Sequence, residues 1–395
     1  MIKTVINKFK SADKNFLLFL FAGVFIGIGQ SVDSSTLNNF FKESFNIGIL
    51  QRSVLEMPRE LPGFLVFIMI GFLYTLGDIR ITAIAYLSAA FGMFFLGIIP
   101  QNYTLMLIFI FIYSSGTHIS LPLSNSIGMS FANEGNLGKK LGQLSAANNA
   151  ALVFGCVLLW ALFKLFRISY TVSFSIGAVS FVIAGILMLS IDRKQTVQIK
   201  KRFVYRKEYR LFYWLSILFG ARKQIFLTFG PWVLVDIFNQ KVTAMTAFFL
   251  IISVSGIFIK PFVGYMIDKV GERKVLSFEA ILLFFVCLGY AFAENLFSYK
   301  GALILVSACY ILDQSMNAVS MARATYLRKI AVKPEDISPT LSLGTSIDHI
   351  ASMFLPALGG IIWSINGSGG YKYVFMGGAL IALVNFFSAR MIKTA

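Results

Sequence analysis

Histidine and cysteine are nearly absent from this sequence, and that scarcity narrows its chemistry. Its 395 residues include two histidines, His118 and His349, and three cysteines, Cys156, Cys287 and Cys309. Neither type recurs at the short spacings that ligate zinc. The cysteines all lie inside apolar runs, which suits small buried residues better than disulfides. A phosphate loop of the form GxxxxGKS/T is also missing, so the chain does not itself hydrolyse nucleotide. A membrane enzyme would need a nucleophile, a metal cluster or an acid pair at a plausible depth, and no such set stands out. No metal and no cofactor are expected. Charge is scarce too: 13% of residues are charged, against 57% hydrophobic and 15% aromatic. A soluble protein of this size needs more charge to cover its surface.

What fills the chain is a succession of apolar runs, each about as long as a bilayer is thick. The mean hydropathy is +0.76. Twelve candidate spans fall near 15–37, 57–76, 81–99, 104–126, 143–164, 171–191, 211–236, 243–266, 275–293, 301–324, 340–365 and 373–391. The basic start MIKTVINKFKSADK leads into the first of them without a small-residue cleavage site, so it reads as an uncleaved span.

The formal net charge is +17. No nucleic-acid recognition motif accompanies it, and nucleic acid is not an expected partner. The excess instead follows the rule that Lys and Arg collect in cytoplasmic loops. With both termini inside, the inner segments hold Lys3, Lys8, Lys10, Lys14, Arg80, Lys139, Lys140, Lys269, Arg273, Lys274, Arg328, Lys329, Lys333, Arg390 and Lys393. A middle loop, DRKQTVQIKKRFVYRKEYR, adds Arg193, Lys194, Lys200, Lys201, Arg202, Arg206, Lys207 and Arg210. The outer segments hold only Lys42, Arg52, Lys164, Arg167, Lys241, Lys300 and Lys372. The expected organisation is an N-terminal six-helix bundle (1–191), a basic cytoplasmic loop (192–210) and a C-terminal six-helix bundle (211–395) in a cell membrane.

The halves repeat weakly. PGFLVFIMIGFLYTLGDIRI lies over SGIFIKPFVGYMIDKVGERK, matching Gly63 with Gly256, Gly71 with Gly264 and Arg80 with Arg273. The segment GYMIDKVGERK (Gly264, Asp268, Lys269, Gly271, Arg273, Lys274) resembles the loop signature of the major facilitator superfamily. Its first-half copy is degenerate: Thr75 stands where Asp belongs and Asp78 where Gly belongs. The resemblance implies an all-α membrane fold of twelve helices in two six-helix halves, and secondary transport by alternating access. It makes Gly264, Asp268, Gly271, Arg273, Lys274, Gly71, Asp78 and Arg80 a conformational-switch loop. Gly271 is expected to permit a tight turn, Gly264 to admit a close neighbour, and Asp268 to meet cations across the two halves.

The same resemblance makes the first, fourth, seventh and tenth spans line a central cavity. These spans carry the buried-looking polar residues: Gln30 and Asp33; Ser114, His118 and Asn125; Arg222 and Lys223; Tyr310, Asp313, Gln314 and Asn317. Each central Arg or Lys costs about 2.5–3.5 kcal/mol to insert, so such residues face water or an acid. Arg222 and Lys223 are consecutive and point about 100° apart. One is expected to meet an anionic solute group and the other an acid, with Asp33 and Asp313 as candidates; a purely structural pairing of both is the alternative. The expected solute-binding set is Arg222, Lys223, Gln30, Asp33, His118, Tyr310, Gln314 and Asn317, and the proton-coupling candidates are Asp313, Asp33 and His118. Elsewhere, Glu56, Arg59 and Glu60 can pair locally or form an outer gate, Glu279 can meet Arg273, and Asp348 and His349 either bond between helices or border the cavity.

The reading is a monomeric symporter or antiporter that moves a small polar or anionic organic solute, coupled to protons across the lipid bilayer. Multidrug efflux competes with it. Drug–proton antiporters of the resembled family usually carry Gly-Pro in the fifth span, and GQLSAANNAALVFGCVLLW has no Pro. The Arg222–Lys223 pair also disfavours a cationic drug. A non-transporting sensor would normally carry an added signalling domain, and the loop and tails here are short.

Overall fold

In the computed structural model, which describes residues 14–131, 137–192 and 204–393, every regular element is helical. In chain order they are α1 (Lys14–Phe45), α2 (Ile49–Val54), α3 (Glu56–Leu73), α4 (Asp78–Ile98), α5 (Tyr103–Ser130), α6 (Leu137–Leu165) and α7 (Tyr170–Leu189). There follow α8 (Arg210–Trp232), α9 (Val242–Val270), α10 (Glu272–Leu296), α11 (Tyr299–Met316), α12 (Ser320–Ile330), α13 (Ile337–Ile365) and α14 (Tyr371–Arg390). Ten spans among the described residues are long and apolar enough to cross a membrane, with α11 and α12 forming the single span Tyr299–Ile330. The other two long helices are α3, with Glu56, Arg59 and Glu60 in 18 residues, and α8, interrupted by Arg222 and Lys223. Together they agree with the twelve runs of the sequence. Lys3, Lys8, Lys10, Arg193, Lys194, Lys200, Lys201 and Arg202 lie outside the described residues, as do the side chains of Lys139, Lys140 and Asn125.

The helices gather into two compact units. The first comprises residues up to 34 and 65–199, the second 35–64 and 200 onward, so two of the three divisions fall within helices, α1 and α3. In the first unit α4 packs on α5 and α7. Small residues bring α4 and α5 together: a Cβ on Gly116 would collide with the Ala85 carbonyl oxygen and lie 2.6 Å from the Ala89 amide. Apolar lipid tails give helices little reason to associate, so this close backbone approach supplies the packing. Tyr86 joins α4 to α5 through a 2.8 Å hydrogen bond to Ser124. Asn148 of α6 donates to the Gly23 carbonyl of α1 at 3.5 Å.

In the second unit α8 packs on α13, and α10 packs on α14 through the stacked rings of Tyr290 and Phe375, 4.1 Å apart. The segment 35–64 is tied into this unit by polar contacts. Lys42 meets Asp236 at 2.5 Å, and Asn39 donates to the Gln240 carbonyl at 2.9 Å. Arg52 is fully buried, paired with Glu56 at 2.5 Å; Glu56 also meets Arg59 at 3.3 Å, the local pair expected from their spacing.

Two helices lose their regular ladder. Pro231 has no amide hydrogen to donate, and two residues later the chain runs as a π-turn, Val233–Ile237. Between α11 and α12 the chain tightens into a 3-10 turn, Asn317–Val319. Interrupted helices inside membranes occur where backbone is buried in protein or lines a cavity.

The turns before α4 and α10 correct the sequence alignment by one residue. Gly271 has φ +84° and ψ 161° and Gly77 has φ +77° and ψ 153°, the same turn immediately before a helix, so Gly77 is the counterpart of Gly271. That places Asp78 opposite Glu272 rather than at the glycine position. Both acids open a helix and are buried, 3% and 4% exposed, where the helix dipole favours a carboxylate. Asp78 lies beside Ser126, and Glu272 takes Lys329 at 2.8 Å. Asp268 instead is exposed, with no hydrogen bond or ion pair among the described residues, and a Cβ on Gly264 or Gly71 would meet no neighbouring element within 4 Å, so neither marks the close helix approach expected of Gly264.

Gly116→Ala is expected to lower stability by about 1–3 kcal/mol, because its methyl group meets backbone that cannot give way. Gly23, which has nothing within 4 Å, serves as the control: Gly23→Ala should leave the thermal unfolding midpoint in detergent unchanged while Gly116→Ala lowers it.

Candidate functional site

Arg222 and Lys223 stand in the middle of α8, and their 100° offset sends them to different helices. Arg222 turns towards α10 and α11. Its Nη1 lies 3.2 Å from Asp313 Oδ1 and its Nη2 3.5 Å from Glu279 Oε1. Nη2 also donates to Asn317 Oδ1 at 3.3 Å, on the 3-10 turn. Gln314 Nε2 donates to the second Asp313 oxygen at 2.9 Å, and Asn317 Nδ2 donates to Gln314 Oε1 at 3.4 Å. Asp313 and Asn317, one turn apart along this span, thus both meet the guanidinium, and Gln314 braces Asp313. Arg222 is only 4% exposed, and its carboxylate partners 2% and 3%.

A second arginine shares this environment. The Arg323 guanidinium lies 3.5 Å from the Phe219 ring centroid, and that of Arg222 lies 5.1 Å from the same centroid. Phe219 thus supports two cations; Asp313 and Glu279 lie beside Arg222, and Asp348 and Glu279 are the carboxylates near Arg323. Arg323 and Asp348 also line a cavity of about 70 Å³ with Ser216, Ser320 and Thr345. The sequence reading missed Arg323. Its signal was a lone arginine in an otherwise weakly charged span, but MARATYLRK looks like the basic end of a helix.

Lys223 turns the other way, towards α13 and α3. Its Nζ lies 2.9 Å from Asp348 Oδ1 and 4.0 Å from Glu60 Oε2. Glu60 Oε2 is in turn 2.8 Å from His349 Nδ1. Ser352 Oγ, one turn along α13, donates to Asp348 Oδ1 at 3.3 Å. Gly220 makes the approach possible, since a Cβ there would collide with the Asp348 carbonyl oxygen and lie 2.7 Å from its carboxylate.

This geometry revises three expectations. Both α8 cations have acids, where one was expected to be left for a solute: Arg222 takes Asp313, one of the two acids expected, and Lys223 takes Asp348. Glu279 meets Arg222, not Arg273, because it is buried on the face of α10 towards α8 while Arg273 sits at the helix start. Glu60 leaves the local Glu56–Arg59 pair and reaches across to His349. Of the other expected residues, Tyr310 is buried against Phe248 at 6.4 Å between centroids. Gln30, Asp33 and His118 belong to the first unit. There Gln30 and Asp33 are half-buried on α1, and His118 Nδ1 lies 2.9 Å from Ser114 Oγ one turn away.

The family model for the Major Facilitator Superfamily matches residues 19–331. No curated protein sequence matches the chain. Among solved structures, the nucleoside transporter NupG superposes with a TM-score of 0.76 at 13% identity, covering 97% of this chain and 100% of that one. A bacterial homologue of the human lysosomal transporter Spinster, in an inward-facing and unoccupied conformation, gives 0.72 at 14% identity over 96% and 98%. A D-xylose–proton symporter gives 0.67 at 16% over 96% and 99%. At these identities the likeness is one of fold.

Removing Arg222 strands two buried carboxylates, whereas neutralising Asp313 leaves Glu279 to balance the guanidinium. Arg222→Ala is expected to cost about 3–5 kcal/mol and Asp313→Asn clearly less. Thermal unfolding of the detergent-purified variants checks the order; equal losses would mean that Glu279 does not engage Arg222.

Proposed function

The chain belongs to the Major Facilitator Superfamily, and from that premise we propose that it is a proton-coupled secondary transporter of a small polar or anionic organic solute. The observation that carries the reading is the unequal use of the two α8 cations. Arg222 is enclosed by Asp313, Glu279 and Asn317 and holds helices together. Lys223 keeps 18% of its side chain exposed and has one close partner, Asp348. A compact ammonium with spare hydrogen-bond donors suits a solute carboxylate, phosphate or hydroxyl. Tyr310, Gln314 and Asn317 of the same unit supply further polar contacts, and Gln30, Asp33 and His118 are the corresponding groups of the first unit.

Two bundles, 1–191 and 211–395, joined by the basic loop 192–210, act as the alternating halves, with both termini on the cytoplasmic side of the cell membrane and the chain working as a monomer. The turns at Gly77 and Gly271, with their buried acids Asp78 and Glu272, and the basic residues Arg80, Arg273 and Lys274 serve as the switch loops. The structural neighbours named for a nucleoside and for D-xylose with a proton are proteins that move small polar organic molecules. The same class of cargo for this chain is our reading. Drug efflux is weaker, because an apolar cation would have to sit beside Lys223.

The test is a thermal-shift screen of the purified chain against anionic, neutral polar and lipophilic cationic compounds. Stabilisation by a polar or anionic compound, lost by at least tenfold in apparent affinity in Lys223→Gln and largely kept in Lys223→Arg, is the expected result. Stabilisation by lipophilic cations alone, unaffected by Lys223→Gln, would overturn the reading in favour of efflux.

A further inference from the structure

Ser320 and Arg323 lie three residues apart on one face of α12, and neither side chain donates a hydrogen bond among the described residues. The Nε of Arg323 is buried without an acceptor. Stacking on Phe219, 3.5 Å from the ring centroid, occupies one face of the guanidinium and leaves the donors along its edge, which form a fixed fork. The carboxylates near it are Asp348 and Glu279. Both are engaged with other groups: Asp348 Oδ1 takes Lys223 at 2.9 Å and Ser352 at 3.3 Å, and Glu279 Oε1 faces Arg222 at 3.5 Å. They offset the charge of Arg323 without accepting its hydrogen bonds, and buried donors left unpaired are costly.

We propose that the cavity between α8, α12 and α13 is where the second unit takes the carboxylate of its solute, with Arg323 as the fork and Ser320 as an added donor. The proposal rests on the transporter reading above and narrows its solute to a small monocarboxylate. Ser216, Ser320, Arg323, Thr345 and Asp348 all line this cavity. Ser216 and Thr345 each donate to a backbone carbonyl one turn back, at 3.0 and 3.1 Å, so the Ser320 hydroxyl is the one free to donate. Ala324 and Thr345 are exposed, so the cavity opens between α12 and α13.

Size and charge select the class. A water-sized group needs roughly 10–15 Å³, so a cavity of about 70 Å³ fits a carboxylate and the few carbons behind it. A guanidinium edge matches a planar carboxylate with two parallel hydrogen bonds. The second charge of a phosphate would stand beside Asp348, on the same wall, and is disfavoured. Asp348 also joins this cavity to Lys223, the half-exposed cation of the reading above: one side chain borders the Arg323 site and holds the ammonium.

The test follows the thermal unfolding midpoint of the purified full chain while it is titrated with acetate, propanoate and butanoate, with the matching amides, and with inorganic phosphate, all at one ionic strength. A carboxylate is expected to raise the midpoint where its amide does not. Arg323→Gln should weaken the apparent affinity roughly tenfold or more, and Ser320→Ala by a smaller factor. Should Arg323→Gln fail to fold, Arg323→Lys serves instead, since it keeps the charge and loses the fork: it too should weaken the carboxylate response. Equal responses to carboxylate and amide, or a carboxylate response untouched by the Arg323 substitutions, overturn the site and make Arg323 a packing residue. A stronger response to phosphate than to any carboxylate overturns the class. Stabilisation that depends on Lys223 but not on Arg323, or that comes only from neutral polar compounds, also overturns this site and leaves the reading beneath it standing. Uptake of the radiolabelled stabilising carboxylate into proteoliposomes, lost in Arg323→Gln, is the expected final result. Stabilisation without uptake overturns the carboxylate as solute.

Discussion

A charge placed in the middle of an apolar helix must find an opposite charge or water, and most of the second unit is arranged around that requirement. Uncompensated, the two α8 cations would cost on the order of 5–7 kcal/mol to insert, a large fraction of what a folded chain has in hand. The structure meets the cost by drawing carboxylates from four other helices: Glu60 from α3, Glu279 from α10, Asp313 from α11 and Asp348 from α13. Each of these contacts also fixes the rotation of a helix, because a side chain reaches α8 only from one face. Ion pairing and helix packing are therefore a single constraint here. Glycine at 220 shows it locally, since the salt bridge to Asp348 and the close approach of α13 depend on the same missing side chain.

The interruptions of helical geometry belong to this scheme. The 3-10 turn Asn317–Val319 begins at the residue that, one turn after Asp313, gives Arg222 its second acceptor from this span. The π-turn after Pro231 lies beyond the cations on the same span, near Asp236 and its partner Lys42. Breaks of this kind also create positions at which a span bends without unfolding, which alternating access requires of its moving helices.

The turns before α4 and α10 show how a repeat keeps its physics while its letters drift. A glycine with positive φ followed by a buried acid at the helix start occurs in both units, as Gly77–Asp78 and Gly271–Glu272. The sequence pattern drew attention to Asp268, which is exposed. The motif letters and the backbone turn are separable features, and the turn marks the true equivalence because only glycine adopts it without strain.

Much of the architecture could be read from the amino acids in order. Hydropathy is local, so run lengths located the spans, and the expense of intramembrane charge singled out Arg222, Lys223 and Asp313 before any coordinates. Family membership followed from the span count and one loop. Which acid each cation takes is not a local property. It depends on which helices become neighbours and how each is rotated, and a step of one residue turns a side chain by about 100°. Asp348, Glu60 and Glu279 stood in the sequence as minor charges near span ends, and Arg323 as a helix-terminal basic residue. Packing alone brought them to the centre, because the energy that selects partners belongs to pairs distant in sequence and close in space.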